Sequence, residues 1–140
     1  MKIFKNTIIP KKYKSSAIAI GNFDGIHKGH QKVFKQAKKY AGKNKIKFGV
    51  VTFTPLPVMF FNRNIKNYRL VSENKKMQLF EKYGVDFVIN IEFNKIFSKI
   101  TAEKFIKDII VKKINPRLIF VSSNFKFGNK RKGNVHLLKR

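Results

Sequence analysis

Residues 16–53 read SAIAIGNFDGIHKGHQKVFKQAKKYAGKNKIKFGVVTF. The apolar run from Ser16 to Ile20 ends at Gly21 and predicts a buried strand. From about Lys28 to Tyr40 the spacing turns helical. Val33, Ala37 and Ala41 share one face, with Phe34 beside them, and lysines cover the other. Ala41-Gly42-Lys43-Asn44, with a glycine near the C-terminus, predicts the stop of this helix. KFGVVTF, from Lys47 to Phe53, predicts a second strand. Strand, glycine-rich turn, helix and strand in this order make a βαβ unit, the building block of a parallel sheet.

The alternation continues. Pro55 and Pro57, in Thr54-Pro55-Leu56-Pro57, end the second strand because neither has an N–H for the ladder. A loop-like stretch runs to Leu70. Ser72 can then cap a helix through about Tyr83, with Gly84 as its stop. Asp86 to Ile91 predicts a third strand. Thr101 caps the next helix, with Phe105, Ile109 and Val111 or Lys112 on its inner face and Pro116 beyond its end. Arg117 to Val121 predicts a fourth strand. The fold class is α/β: one Rossmann-like domain, its parallel sheet covered by helices on both faces. Ligands of such sheets bind beyond the carboxyl ends of the strands. The segments 21–30, 54–57 and 122–134 each follow a strand and are expected to converge there.

Composition narrows the function classes. The 140 residues are enough for a domain with a core, and 43% are hydrophobic. The absence of cysteine removes disulfides, thiolate nucleophiles and zinc–thiolate sites, and fits a reducing cytoplasm. MKIFKNTIIPKKYK, at the start, has too short an apolar stretch for a signal peptide, and no window approaches a membrane span. The reading is a soluble, cytoplasmic protein. The formal net charge is +25, from 32 Lys plus Arg against 7 Asp plus Glu. Two accounts compete. One is a polyanionic partner. The other is compositional drift, since the lysines are spread along the chain together with abundant Asn, Ile and Phe. No specific nucleic-acid or membrane partner is expected, because no recognition-helix or aromatic RNA-binding pattern accompanies the charge.

The chemistry concentrates in Gly21 to Gln31, GNFDGIHKGHQ. Gly21 and Gly25 permit a tight turn. The turn feeds a helix N-terminus, where free N–H groups and the macrodipole favour an anion. A phosphate can settle against the amides from Asn22 to Gly25. His27 and His30, three residues apart, share one face of a helical first turn. Both can donate to phosphate oxygens and stabilise charge on a pentavalent phosphorus. Gly29 leaves room for a nucleotide against the backbone. Asp24 either caps the helix or touches the ligand. A metal site is not implied, because His136 is the only other histidine. The spacing is neither that of a Walker phosphate loop nor that of a dinucleotide turn.

These residues carry a family resemblance. GNFDGIHKGHQ is similar to the GxFDGxHxGHQ signature of bacterial FAD synthetases, the FMN adenylyltransferase modules of bifunctional riboflavin kinase/FAD synthetase proteins. The HxGH core alone marks the wider nucleotidyltransferase superfamily. Val121 to Gly133, VSSNFKFGNKRKG, resembles the family's VGx[DN]FRFGxxRxG segment, and Val51 to Pro57 resembles its TF[DE]PHP segment. Glu73 to Lys82, Gly84-Val85-Asp86 and Thr101 to Ile106 match its weaker middle pattern. The resemblance covers nearly the whole chain.

It implies MgATP and FMN as substrates, attack of the FMN phosphate on the α-phosphate, and release of pyrophosphate and FAD. It assigns His27, His30 and Asn124 to catalysis. Gly21, Asn22, Phe23, Asp24, Gly25, His27, Gly29 and His30 are assigned to ATP, and Pro55, Pro57, Asn124, Phe127 and Arg131 to the flavin side. Phe125 and Phe127 alternate with Lys126, which half-buried strand residues also do. Three departures stand out: Thr54 replaces the family's Asp or Glu, Leu56 its His or Arg, and Ser122 its Gly. The family's ISSTxIR-type segment and its riboflavin kinase β-barrel are not found within these residues. The expectation is therefore a domain cut short at its C-terminal side, linked to a kinase module in a longer protein, with a truncated homologue of altered function as the alternative. Two alternatives remain open: an HxGH adenylyltransferase for another phosphorylated acceptor, and a basic nucleic-acid-binding module.

Overall fold

The computed structural model describes residues 1–23, 28–54, 73–121, 126–127 and 133–134. Five strands form one parallel sheet: β1 (Lys2–Phe4), β2 (Ala17–Ile20), β3 (Phe48–Thr54), β4 (Phe87–Glu92) and β5 (Leu118–Phe120). Their spatial order is β1-β4-β3-β2-β5. The α/β class and its parallel sheet are thus as the sequence predicts, with the four predicted strands within a residue or so of their expected ends and β1 added at the edge. Lys126–Phe127 (β6) and Gly133–Asn134 (β7) pair antiparallel as a separate two-stranded ribbon.

The helices are α1 (Lys28–Lys43), α2 (Glu73–Lys82), the one-turn α3 (Lys95–Ser98), and α4, which starts at Ala102–Lys104 and continues as a π-helix over Phe105–Ile114. Alternate strand residues sort into two cores. Ala17, Ala19, Phe48, Val50 and Val88 meet Val33, Phe34, Ala37 and Ala41 of α1 and Phe80 of α2. Ile18, Ile20, Val51, Phe53, Phe87, Ile89 and Ile91 meet Phe105, Ile109, Ile110 and Ile114 of α4. Helices cover both faces, and each large side chain so buried contributes roughly 1.5–3 kcal/mol.

Two expectations need correction. α1 ends at Lys43, inside the expected 41–44 stop, but Gly42 is not the residue that reverses the chain. The chain reverses at Lys45, whose φ is 55°. There Lys45 N–H donates to the Gly42 carbonyl at 3.3 Å and Ile46 N–H to the Ala41 carbonyl at 3.0 Å. This is a Schellman closure with lysine where glycine is usual. α2 ends in the same way on Gly84, at φ 82°, as predicted. The second correction concerns α4. Its Thr101 cap is present, the hydroxyl accepting from Lys104 N–H at 3.2 Å. Its inner face, however, is Phe105, Ile109, Ile110 and Ile114, while Val111 is 56% exposed. An i→i+5 winding takes in more residues per turn, so α-helical spacing misplaces the face. The Ser72 cap lies outside the described residues.

Candidate active site

The strand order decides where the predicted segments go. β2 lies between β3 and β5. The chain leaves β2 for β3 on one side and later returns to β5 on the other, so β2 and β5 flank a topological switch point. Residues 21, 55 and 121 each follow the carboxyl end of one of these three adjacent strands. The three segments therefore start from one edge of the sheet, as expected.

At the end of β2 the backbone turns sharply. Gly21 N–H donates to the Val51 carbonyl at 3.1 Å, the last tie of this strand to β3. The Asn22 carbonyl accepts from the Thr52 hydroxyl at 3.1 Å. Phe23 has φ 52°, a left-handed backbone that bulky residues resist and that costs of order 1–3 kcal/mol. Packing holds it there. Its ring is 3% exposed and meets Phe34 at 4.9 Å, Phe80 at 5.9 Å and His30 at 5.1 Å between centroids. The ring also folds back over Gly21, where an added Cβ would stand 2.9 Å from Cζ. Only glycine fits at 21.

His30 lies in the first turn of α1, half-buried, with its imidazole edge-on to Phe23 at 80°. One buried aromatic thus links the end of β2 to the orientation of a site histidine. Gly29, beside it, is exposed. Of the predicted site residues, Gly21, Phe23 and His30 are joined through the Phe23 ring, and Asn22 is tied to Thr52. Asp24, Gly25, His27, Pro55, Pro57, Asn124 and Arg131 lie outside the described residues. Phe127 is in β6, paired with Gly133.

The strands add residues that loop reading missed. On the α1/α2 face, the sheet changes character toward its carboxyl edge. Ala19, Val50 and Val88 are followed at the next inward positions by Gly21, Thr52 and Asn90, with Thr54 one step beyond Thr52. Thr52 is 0% exposed. The Thr54 hydroxyl donates to Asn90 Oδ1 at 2.7 Å, with Glu73 Oε2 at 3.3 Å. A hydroxyl has one proton, so the closer oxygen takes it. The α4 face stays apolar to the same edge, through Phe53 and Ile91. The readable signal was polar residues at every second position of a strand: Thr52, Thr54 and Asn90.

Glu73 also bears on the departure at position 54. A carboxylate absent from the strand is brought to that place by the first residue of α2. Among the described residues, no group of three or more His, Cys, Asp or Glu side chains could hold a metal ion. No helix among them is long and apolar enough to cross a membrane.

Comparison with known proteins agrees with this geometry. The FAD synthetase family profile matches residues 9–140. A bifunctional riboflavin kinase/FMN adenylyltransferase of Buchnera aphidicola subsp. Schizaphis graminum is 40% identical over 140 residues, 99% of this chain and 45% of the relative. The Escherichia coli K12 protein of the same name is 32% identical over 123 residues, 88% of this chain and 39% of its own length. The chain therefore spans less than half the length of these relatives. A crystal structure described as a macrolide-efflux protein from Streptococcus pneumoniae superposes with a TM-score of 0.79 at 27% identity, covering 98% of this chain and 45% of that one. A family match over most of the chain, relatives sharing one name, and a glycine–histidine turn at the switch point of a parallel sheet lead to one conclusion: this chain belongs to the FAD synthetase family.

Proposed function

We propose that the chain forms the FMN adenylyltransferase part of a protein that also carries a riboflavin kinase module. In this reading an oxygen of the FMN phosphate attacks the α-phosphorus of ATP. A new P–O bond forms, the bond to the β-phosphate oxygen breaks, and pyrophosphate leaves with FAD as the other product. No covalent intermediate with the protein is needed, so catalysis rests on positioning and on stabilising charge at phosphorus.

The observation that carries the reading is the turn after β2. Its backbone is fixed by Gly21, Thr52 and the buried Phe23 ring, and that ring orients His30 at the start of α1. We assign His30 and His27 to the ATP phosphates and to the charge that develops in the transition state. Asn22, Phe23, Asp24 and Gly25 would offer backbone amides, Gly21 and Gly29 space. Pro55, Pro57, Asn124, Phe127 and Arg131 would serve the flavin side, with Asn124 also placing a phosphate. Mg²⁺ would come with ATP, with phosphate oxygens and water supplying most of its ligands and one or two carboxylates at most the rest. Glu73, beside Thr54 at the end of β3, and Glu92, paired with Thr54 from β4, are carboxylates that the described residues offer near there.

The test is incubation of the full-length protein with ATP, FMN and Mg²⁺, with FAD and pyrophosphate measured together. FAD formation is expected. A well-folded protein that yields none overturns the assignment, and replacement of FMN by other phosphorylated acceptors then shows whether the acceptor alone was misread.

A further inference from the structure

Lys76 is a lysine that the fold removes from water. It is 2% exposed, and its Nζ is buried. The other lysines whose burial is described are exposed or half-buried, as a spread-out surface charge would be. Taking an ammonium out of water costs several kcal/mol unless its surroundings compensate. Compositional drift toward lysine does not place one there.

Its location is set by its helix neighbours. Residues three and four apart share a face. Three residues before Lys76, the Glu73 carboxylate reaches Thr54 at the end of β3. Four residues after it, the Phe80 ring lies edge-on to Phe23 in the turn after β2. Lys76 therefore stands on the inner face of α2 between the ends of β2 and β3. On this face the sheet turns polar through Thr52, Thr54 and Asn90. Charges inside a protein act with less screening than in water, so a cation here, one turn from the Glu73 carboxylate, acts locally on the strand ends beside it.

We propose that Lys76 is a positioning residue for nucleotidyl transfer: its buried ammonium sets a positive field beneath the phosphate-binding turn and holds the ends of β2 and β3 in register for the triphosphate. The inference rests on the adenylyltransferase reading above.

The test compares wild type, Lys76→Met and Lys76→Arg in the full-length protein. Thermal unfolding, the Kd of an unreactive ATP analogue, and kcat and KM for FAD formation are measured. Methionine nearly conserves volume, so the packing of α2 is kept while the charge is removed. Assayed well below its Tm, Lys76→Met is expected to bind the analogue more weakly and lose about 10- to 100-fold in kcat/KM. Lys76→Arg is expected to recover part of that loss. Retention of kcat/KM and analogue affinity within about twofold in Lys76→Met overturns the proposal. So does a loss that merely follows a fall in Tm, or one that arginine does not relieve. Failure of the wild type to make FAD condemns the functional reading itself. An active wild type with an equally active Lys76→Met condemns this inference alone.

Discussion

Each face of the sheet has a glycine under a phenylalanine ring. On the α4 face, Gly49 sits opposite Phe87 in the β3–β4 ladder, and a methyl at 49 would overlap the ring. Phe87 is itself enclosed by Tyr13 at 4.9 Å and Phe4 at 6.4 Å. On the α1 face, Gly21 sits under Phe23, whose other neighbours are Phe34, Phe80 and His30. The local packing is the same, and its consequences differ. Around Gly49 every neighbour is core, so the contact can affect only stability. Around Gly21 one neighbour is a histidine at the sheet's carboxyl edge, so the contact also aims a side chain that we assign to the ATP phosphates.

Substitutions can break this contrast. The largest effect is expected from His30→Ala, which should lower kcat for FAD formation by about 10²- to 10³-fold, as loss of a transition-state donor does. Its Tm should move little, because the imidazole is only half-buried. A variant that keeps its rate removes His30 from the chemistry. Next comes Gly49→Ala. Overpacking a closed site costs about 1–3 kcal/mol or more, so a clear drop in the denaturant midpoint is expected, with rate per folded molecule unchanged. A lost rate at full foldedness would show that the α4 face reaches the site. Gly21→Ala should do the reverse. An added Cβ stands less close to the ring here than at Gly49, so a smaller stability loss is expected together with a fall of about tenfold in kcat/KM as His30 is re-aimed.

The smallest effect sharpens the comparison by separating face from edge. Lys45 is on the same side as the site, but it follows the far end of α1 and holds a left-handed backbone. Lys45→Gly removes the Cβ penalty and should raise stability by up to about 1 kcal/mol, with kinetics untouched. Altered kinetics would mean that α1 transmits strain along its length to His30.

The same contrast explains what could be read in advance. The βαβ alternation was legible because apolar runs, glycine stops and helical spacing agree with one another from Ser16 to Phe53. The turn with His30 was legible because glycines, histidines and a strand-to-helix junction coincide within a few residues. The rest depends on contacts between distant segments. Three-residue β1 has no periodicity of its own and is defined by pairing with β4. The inner face of α4 depends on a winding that α-helical spacing does not encode. Lys76 reads as one more lysine until α2 is laid over the carboxyl edge. The polar row of Thr52, Thr54 and Asn90 was visible in the strands, but its meaning required knowing which edge carries the site.

The placement of β1 has a consequence for how the molecule is made. Lys2, Ile3 and Phe4 pair with Phe87, Val88 and Ile89, more than half the chain away. These residues are synthesised well before their partner strand, and such distant pairings slow folding. Until β4 emerges, β1 has no partner strand. A substitution that weakens the β1–β4 pairing would be felt as slower maturation of the domain, with little change in the finished protein.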